Sequence, residues 1–167
     1  MEPSVSRKQK PEPDPRHIRE LAEEYYRSGQ YYCSEAIVKT INEEFGLGYP
    51  DDVIRCASGF PIGIGGAGCS CGAVTGGVMA IGMVFGRKDP RDPSIERCLE
   101  LSRELHDRFT EWHRCTCCRS LIRGLILKSP EHLQKCVVLT GEVAEETAKI
   151  IIRETNKPSD TPGQQRG

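Results

Sequence analysis

A chain of 167 residues is long enough for one domain with its own buried core and needs no disulfide support for it. Its formal net charge is −1, with 28% charged residues, which gives no electrostatic footprint for nucleic acid or an anionic membrane. The polar, proline-broken opening MEPSVSRKQKPEPDPR does not read as a secretory leader, so the protein is expected in the cytoplasm.

Residues 1–13 and 156–167 read as disordered tails around a helical domain at 14–155. Asp14-Pro15 signals a helix start, a capping residue followed by proline at the first helical position. That helix is expected to reach about Arg27 with Ile18, Leu21, Ala22 and Tyr25 on its apolar face, and SGQ breaks it. A second helix runs from about Cys33 to Phe45, where Cys33, Ile37 and Ile41 recur at a spacing that keeps them on one side. A short helix from Asp51 to about Ser58 leads into the loop GFPIGIGGAG.

The next helix begins near Cys71 and stops at Gly86, with Cys71, Val74, Val78, Ile81 and Phe85 forming a heptad-like seam. The uncharged run Cys56–Gly86 around it is longer than the roughly 20 residues that span a bilayer. Glycines and Pro61 interrupt that run, so it predicts a buried core helix and no membrane insertion. Ser94 is expected to cap a helix to about Trp112, with Ile95, Cys98, Ser102, Leu105, Phe109 and Trp112 as its seam. After HRCTCC, a short helix carries Cys118, Leu121, Ile122 and Leu125 on one face. Pro130 opens a last helix to about Glu154, with a stripe of Leu133, Cys136, Val137, Thr140, Ala144 and Ile151. The Glu-rich face of GEVAEETAK reads as solvated surface. Nothing alternates like a strand, so the expected fold is all-α, a single bundle of about five to seven helices with a Gly/Cys-rich loop.

Nine cysteines cannot all pair with one another, and in a reducing compartment such a set points to metal binding or redox chemistry. Cys33, Cys71 and Cys118 each head the apolar stripe of a predicted helix, and Cys136 sits one turn into the last one. In a bundle those stripes face one core, which would gather the four sulfurs. The N–H groups and dipole of a helix start favour a thiolate and lower a cysteine pKa. Against this, free cysteine packs as a small hydrophobe, which is the reading for Cys56 and Cys98. Cys69, in CSC, and Cys115 and Cys117, in CTCC, are candidates for supplementary ligands or resolving thiols. GIGGAG has no lysine and follows no strand, so it is no phosphate loop, and Gly72, Gly76 and Gly77 read as allowing close helix approach. His113 reads as a solvent-facing or capping histidine.

CGAVTG, Cys71 to Gly76, resembles the C-G-A-x-x-G signature of the C_GCAxxG_C_C family of cysteine proteins held to be redox-active. Cys33 in YYCSEAI, Cys118 in CRSLIRG and Cys136 in KCVVLTGEVAEETAKII match that family's other cysteines in order, over about residues 16–154. The resemblance implies a small helical redox protein and strengthens the expectation of a cluster. Cys69, Cys115 and Cys117 depart from its plain pattern.

The leading expectation is a buried thiolate site of Cys33, Cys71, Cys118 and Cys136 holding an iron–sulfur cluster for electron transfer. The alternatives are a thiol–disulfide oxidoreductase, with Cys71 and Cys118 as its catalytic thiols, and a structural zinc site on the same ligands. The expected partners are a redox protein or a small thiol or electron carrier, with homodimer formation left open.

Overall fold

A computed structural model describes residues 12–158. The expected tails therefore lie outside the described residues, apart from Glu12, Pro13 and Asn156 to Pro158. Seven α-helices follow one another among the described residues: α1 Pro15–Arg27, α2 Cys33–Glu44, α3 Asp51–Cys56, α4 Gly72–Phe85, α5 Ser94–His113, α6 Cys118–Leu121 and α7 Pro130–Thr155. The fold is all-α. The described residues form no strand, only one isolated antiparallel bridge between Ser70 and Cys117. No described helix is long and apolar enough to cross a membrane.

The helix ends follow from local chemistry. Asp14 accepts the Arg16 N–H at 3.0 Å ahead of Pro15, and Ser129 accepts the His132 N–H at 3.2 Å ahead of Pro130. Each such cap is worth about 1 kcal/mol. The capping role expected of Ser94 falls to Asp92, whose carboxylate accepts the Ser94 N–H at 2.9 Å.

Three helices, α2, α4 and α7, pack against one another at the centre, with α1 laid along α7 and α2, and α5 along α4 and α7. Ile37, Ile41, Ile81, Val143, Ala144 and Ile151 are fully buried where they meet. Each of the larger ones contributes roughly 1.5–3 kcal/mol by leaving water. Helix α4 presents Gly72, Ala73, Gly76, Gly77 and Ala80 to this centre. A Cβ on Gly76 would lie 2.7 Å from Ser34 Cα, and one on Gly77 would lie 2.6 Å from Leu105 Cδ2. Interior glycines each cost a helix about 1 kcal/mol. Here that cost is offset by the close approach of the α2 backbone at Gly76 and of the Leu105 side chain at Gly77.

That small-residue face corrects the expected seam, because α4 turns away from Val78, which is 37% exposed. Trp112 and Leu133 are likewise exposed, while Leu101 and Tyr26 take buried places that the stripe reading did not give them. Cys98 is buried, but Cys56 is exposed and is not a core residue. The Glu-rich face is not all solvated: Glu146 is 4% exposed and is paired with Arg108. His113 does not face solvent freely. Its Nε2 lies 2.8 Å from Glu142 and its ring packs on Phe109.

Candidate active site: a four-thiol chamber and its outer cleft

Cys33 is the first residue of α2, Cys71 is the N-cap of α4, Cys118 opens α6, and Cys136 lies on α7. All four line one internal chamber, together with Tyr26, His132 and Thr140. The glycine at 72 is required there, since a Cβ on it would collide with Cys33 Sγ. Cys69, Cys115 and Cys117 do not line this chamber. Cys69 is exposed, and Cys115 and Cys117 are half-buried.

A backbone clasp brings Cys71 and Cys118 to the same wall. The Cys71 N–H donates to Thr116 O at 2.7 Å, Cys118 N–H to Cys69 O at 2.6 Å and Arg119 N–H to Gly68 O at 3.0 Å. The CSC and CTCC segments therefore run side by side, which their separation in the chain concealed. The loop before the clasp is bent by left-handed residues, among them Ile62 (φ 55°) and Ile64 (φ 64°). A β-branched residue in that region costs about 1–3 kcal/mol. The cost at Ile62 coincides with a gain at the site, because its N–H points at the Cys33 sulfur. Gly63 fits the bend for a different reason: a Cβ there would stand 2.7 Å from Cys118 Cβ.

The electrostatics differ from those expected of helix-start cysteines. Burial pushes the Cys71 thiol up to about 12, even though the N–H groups of Ala73 and Val74 point at it. The helix start does act on Cys71, but desolvation of the thiolate is the larger effect. Burial also raises Cys33, and neighbouring Cys71 and Cys136 add to the shift. Cys118 is raised by burial and then by Cys136 and Cys117. Burial first, and the neighbouring sulfurs after it, thus hold Cys33, Cys71 and Cys118 protonated.

Cys136 differs in having side-chain donors aimed at it, where Cys33 and Cys71 meet only backbone N–H groups. Burial raises its pKa, while the Tyr26 hydroxyl and the Lys135 charge oppose that rise. His132, one turn earlier on α7, places Nε2 3.7 Å from Cys136 Sγ. Its Nδ1 accepts the Lys128 N–H at 3.2 Å, and burial holds the ring below the usual histidine range. The proton of the neutral ring therefore belongs on Nε2, directed at the sulfur. Neither His132 nor Tyr26 was picked out in the sequence. The i, i+4 spacing in HLQKC was a legible signal for the histidine, whereas nothing local marks the tyrosine.

The donor set matches the chemistry of an iron–sulfur or zinc site, since all four thiols are soft ligands. The arrangement fits neither as it stands. Among the described residues no three His, Cys, Asp or Glu side chains converge closely enough to hold one ion. The chamber has about 20 Å³ of free space, room on the order of one or two waters. Thr140 Oγ1, fully buried on its wall, has no hydrogen-bond partner among the described residues. A small polar guest suits that hydroxyl.

Comparison with known proteins gives one match. The family model described as "Putative redox-active protein (C_GCAxxG_C_C)" matches residues 31–150. No curated protein and no solved structure matches the chain. The matched segment contains all four chamber cysteines and takes up more than half of the sequence. The chain therefore belongs to the C_GCAxxG_C_C family of redox-active cysteine proteins.

Proposed function

We propose that the redox reaction of this protein is reversible thiol–disulfide interconversion in the four-thiol chamber. Cys136 is the exchanging sulfur and Cys118 the sulfur that resolves it. The observation that carries this reading is the hydrogen-bonded setting of Cys136, flanked by His132 Nε2 at 3.7 Å and by the Tyr26 hydroxyl. Two donors stabilise a developing thiolate at that sulfur, and Cys118 is near enough for the Cys136 charge to raise its pKa. Oxidation removes two thiols and releases two protons and two electrons to an acceptor disulfide, which leaves as two thiols. Cys33 and Cys71, deeper and more strongly held protonated, stand behind this pair as its packed surround.

The test is thiol counting with peptide mapping on reduced protein, before and after mild oxidation and re-reduction. A reversible loss of two thiols, mapped to Cys118 and Cys136, is expected, and Cys136→Ser or Cys118→Ser abolishes it. Cys98→Ala, which alters a packing cysteine outside the chamber, leaves it intact. Iron and sulfide with visible absorbance in protein purified without oxygen would overturn the reading in favour of a cluster. So would a failure to form any reversible disulfide.

A further inference from the structure

Beside the chamber lies a larger cleft of about 310 Å³, and the two share Tyr26, Tyr32, Ile62 and His132 as common walls. Lys128 and Leu133 also line it, as does Tyr31. The size is at the lower end for small-molecule sites, which run from about 300 Å³ upward. Among the described residues Lys128 is the one fully charged side chain on its walls, and none of them puts a carboxylate there. That lysine is exposed and has no ion-pair partner among the described residues.

The cleft is built rather than incidental. The Tyr31 ring meets Tyr25 edge-on at 5.3 Å, and its N–H donates to Tyr25 O at 3.1 Å. Lys128 is held in a left-handed conformation (φ 67°), with its N–H on His132 Nδ1. One histidine therefore ties the cationic end of the cleft to the sulfur of Cys136. A guest with its anionic end at Lys128 extends past tyrosine walls toward the sulfur that His132 and Tyr26 flank.

Building on the thiol–disulfide reading above, we propose that this cleft binds the oxidising substrate, a small organic disulfide bearing a carboxylate. Its carboxylate pairs with Lys128 and its sulfur reaches Cys136. The Cys136 sulfur attacks one sulfur of the guest, the guest S–S bond breaks, and the leaving thiolate takes up the proton lost from Cys136. The Cys118 sulfur then attacks Cys136 in the mixed disulfide, forming Cys118–Cys136 and releasing the second guest thiol with the Cys118 proton. One disulfide is consumed, two small thiols appear, and the protein gains one disulfide.

The test uses reduced full-length protein with two probes, anionic dithiodipropionate and neutral hydroxyethyl disulfide. The readout is the rate at which the mixed disulfide appears on the Cys136 peptide after acid quenching, which excludes reaction at the outer thiols. The anionic probe is expected to react roughly fivefold faster, the effect of one modest ion pair. Lys128→Gln should erase that preference, read as the ratio of the two probes' rates on one variant, and Lys128→Arg should restore it. Equal rates for the two probes, or a preference that survives Lys128→Gln, would overturn the cleft assignment. Diamide oxidation separates this from the underlying reading. If diamide forms the reversible Cys118–Cys136 disulfide while the probes show no preference, only the cleft proposal fails. If diamide forms none, both fail.

Discussion

Ser34 Cα stands 2.7 Å from where a Cβ on Gly76 would be, so helices α2 and α4 meet backbone to backbone right beside Cys33 and a little over one turn beyond Cys71. Neither backbone can yield without moving a helix. Gly76→Ala is expected to destabilise the protein by about 1–3 kcal/mol, the usual cost of overpacking. Gly82, on the same helix, has nothing within 4 Å of its Cβ position. Gly82→Ala should stabilise by about 0.5–1 kcal/mol through helix propensity alone. Urea midpoints of the two variants, read against wild type, give the opposite signs directly.

Thiol reactivity should separate by pH. The Ser120 hydroxyl and N–H hold the Cys117 thiol below the ordinary range, so it should alkylate at the lowest pH of the mapped cysteines. Cys71, pushed up to about 12, should gain reactivity only in strong base. The unfolded chain loses the Cys71 proton at the ordinary thiol value, below the folded one. Its stabilising contribution is therefore complete below the ordinary value and is lost as pH rises from there toward about 12. Timed alkylation with peptide mapping checks the first statement, and urea unfolding in alkaline buffers checks the second. A Cys71 peptide labelled as fast as Cys117 at neutral pH would contradict the burial argument.

Tyr26→Phe keeps the ring in its buried place and removes only the hydroxyl that opposes the rise in the Cys136 pKa. The pH midpoint for Cys136 alkylation should move upward, and that of Cys117, outside the chamber, should stay where it is. Both values come from one labelling series, so a general loosening of the fold would show as faster labelling of Cys33 and Cys71 instead.

At the far end of α7, Glu154 pairs with Arg97, Arg153 and Lys157. Burial opposes its ionisation, yet these cations together hold its carboxyl down to about 2. A depressed carboxyl stabilises the fold above the ordinary carboxylate pKa, and that contribution is lost as pH falls toward about 2. Glu154→Gln should lower stability at neutral pH and flatten the acid limb of the stability–pH curve. Urea midpoints between neutrality and strong acid test it. An unchanged acid limb would assign the acid sensitivity to other carboxylates.

Helix positions were legible because their signals are local. Asp14-Pro15 and Ser129-Pro130 set two starts, and Gly46 and Gly86 mark two ends, within a residue or two of where the chain turns. The inward face of α4 was harder to read, because hydrophobic periodicity weighs Val78 above Gly76, while backbone packing reverses that order. Three helix-heading cysteines were visible as a pattern, but the pKa expected of them was not, since burial depends on what the other helices cover. The clasp between Gly68–Cys71 and Thr116–Arg119 was out of reach, because pairing between distant loop segments leaves no periodic trace. The Tyr26–Cys136 contact joins α1 to α7 across the whole chain, and only the fold reveals it.

The four chamber sulfurs arrive from four separate helix beginnings or turns, and no two are neighbours in sequence. Such a centre exists only once helices from Cys33 to Cys136 have docked. A nascent polypeptide meets oxidant with nine accessible thiols, whereas the finished bundle buries Cys33, Cys71 and Cys118 and half-buries Cys136. Premature cross-linking of an inner sulfur to an outer one, Cys33 to Cys56 for example, would fix the chain before α4 and α7 close. On the thiol–disulfide reading proposed above, the helices must dock before the sulfurs are oxidised, and refolding under reducing conditions should recover more protein with its chamber thiols free than refolding in air.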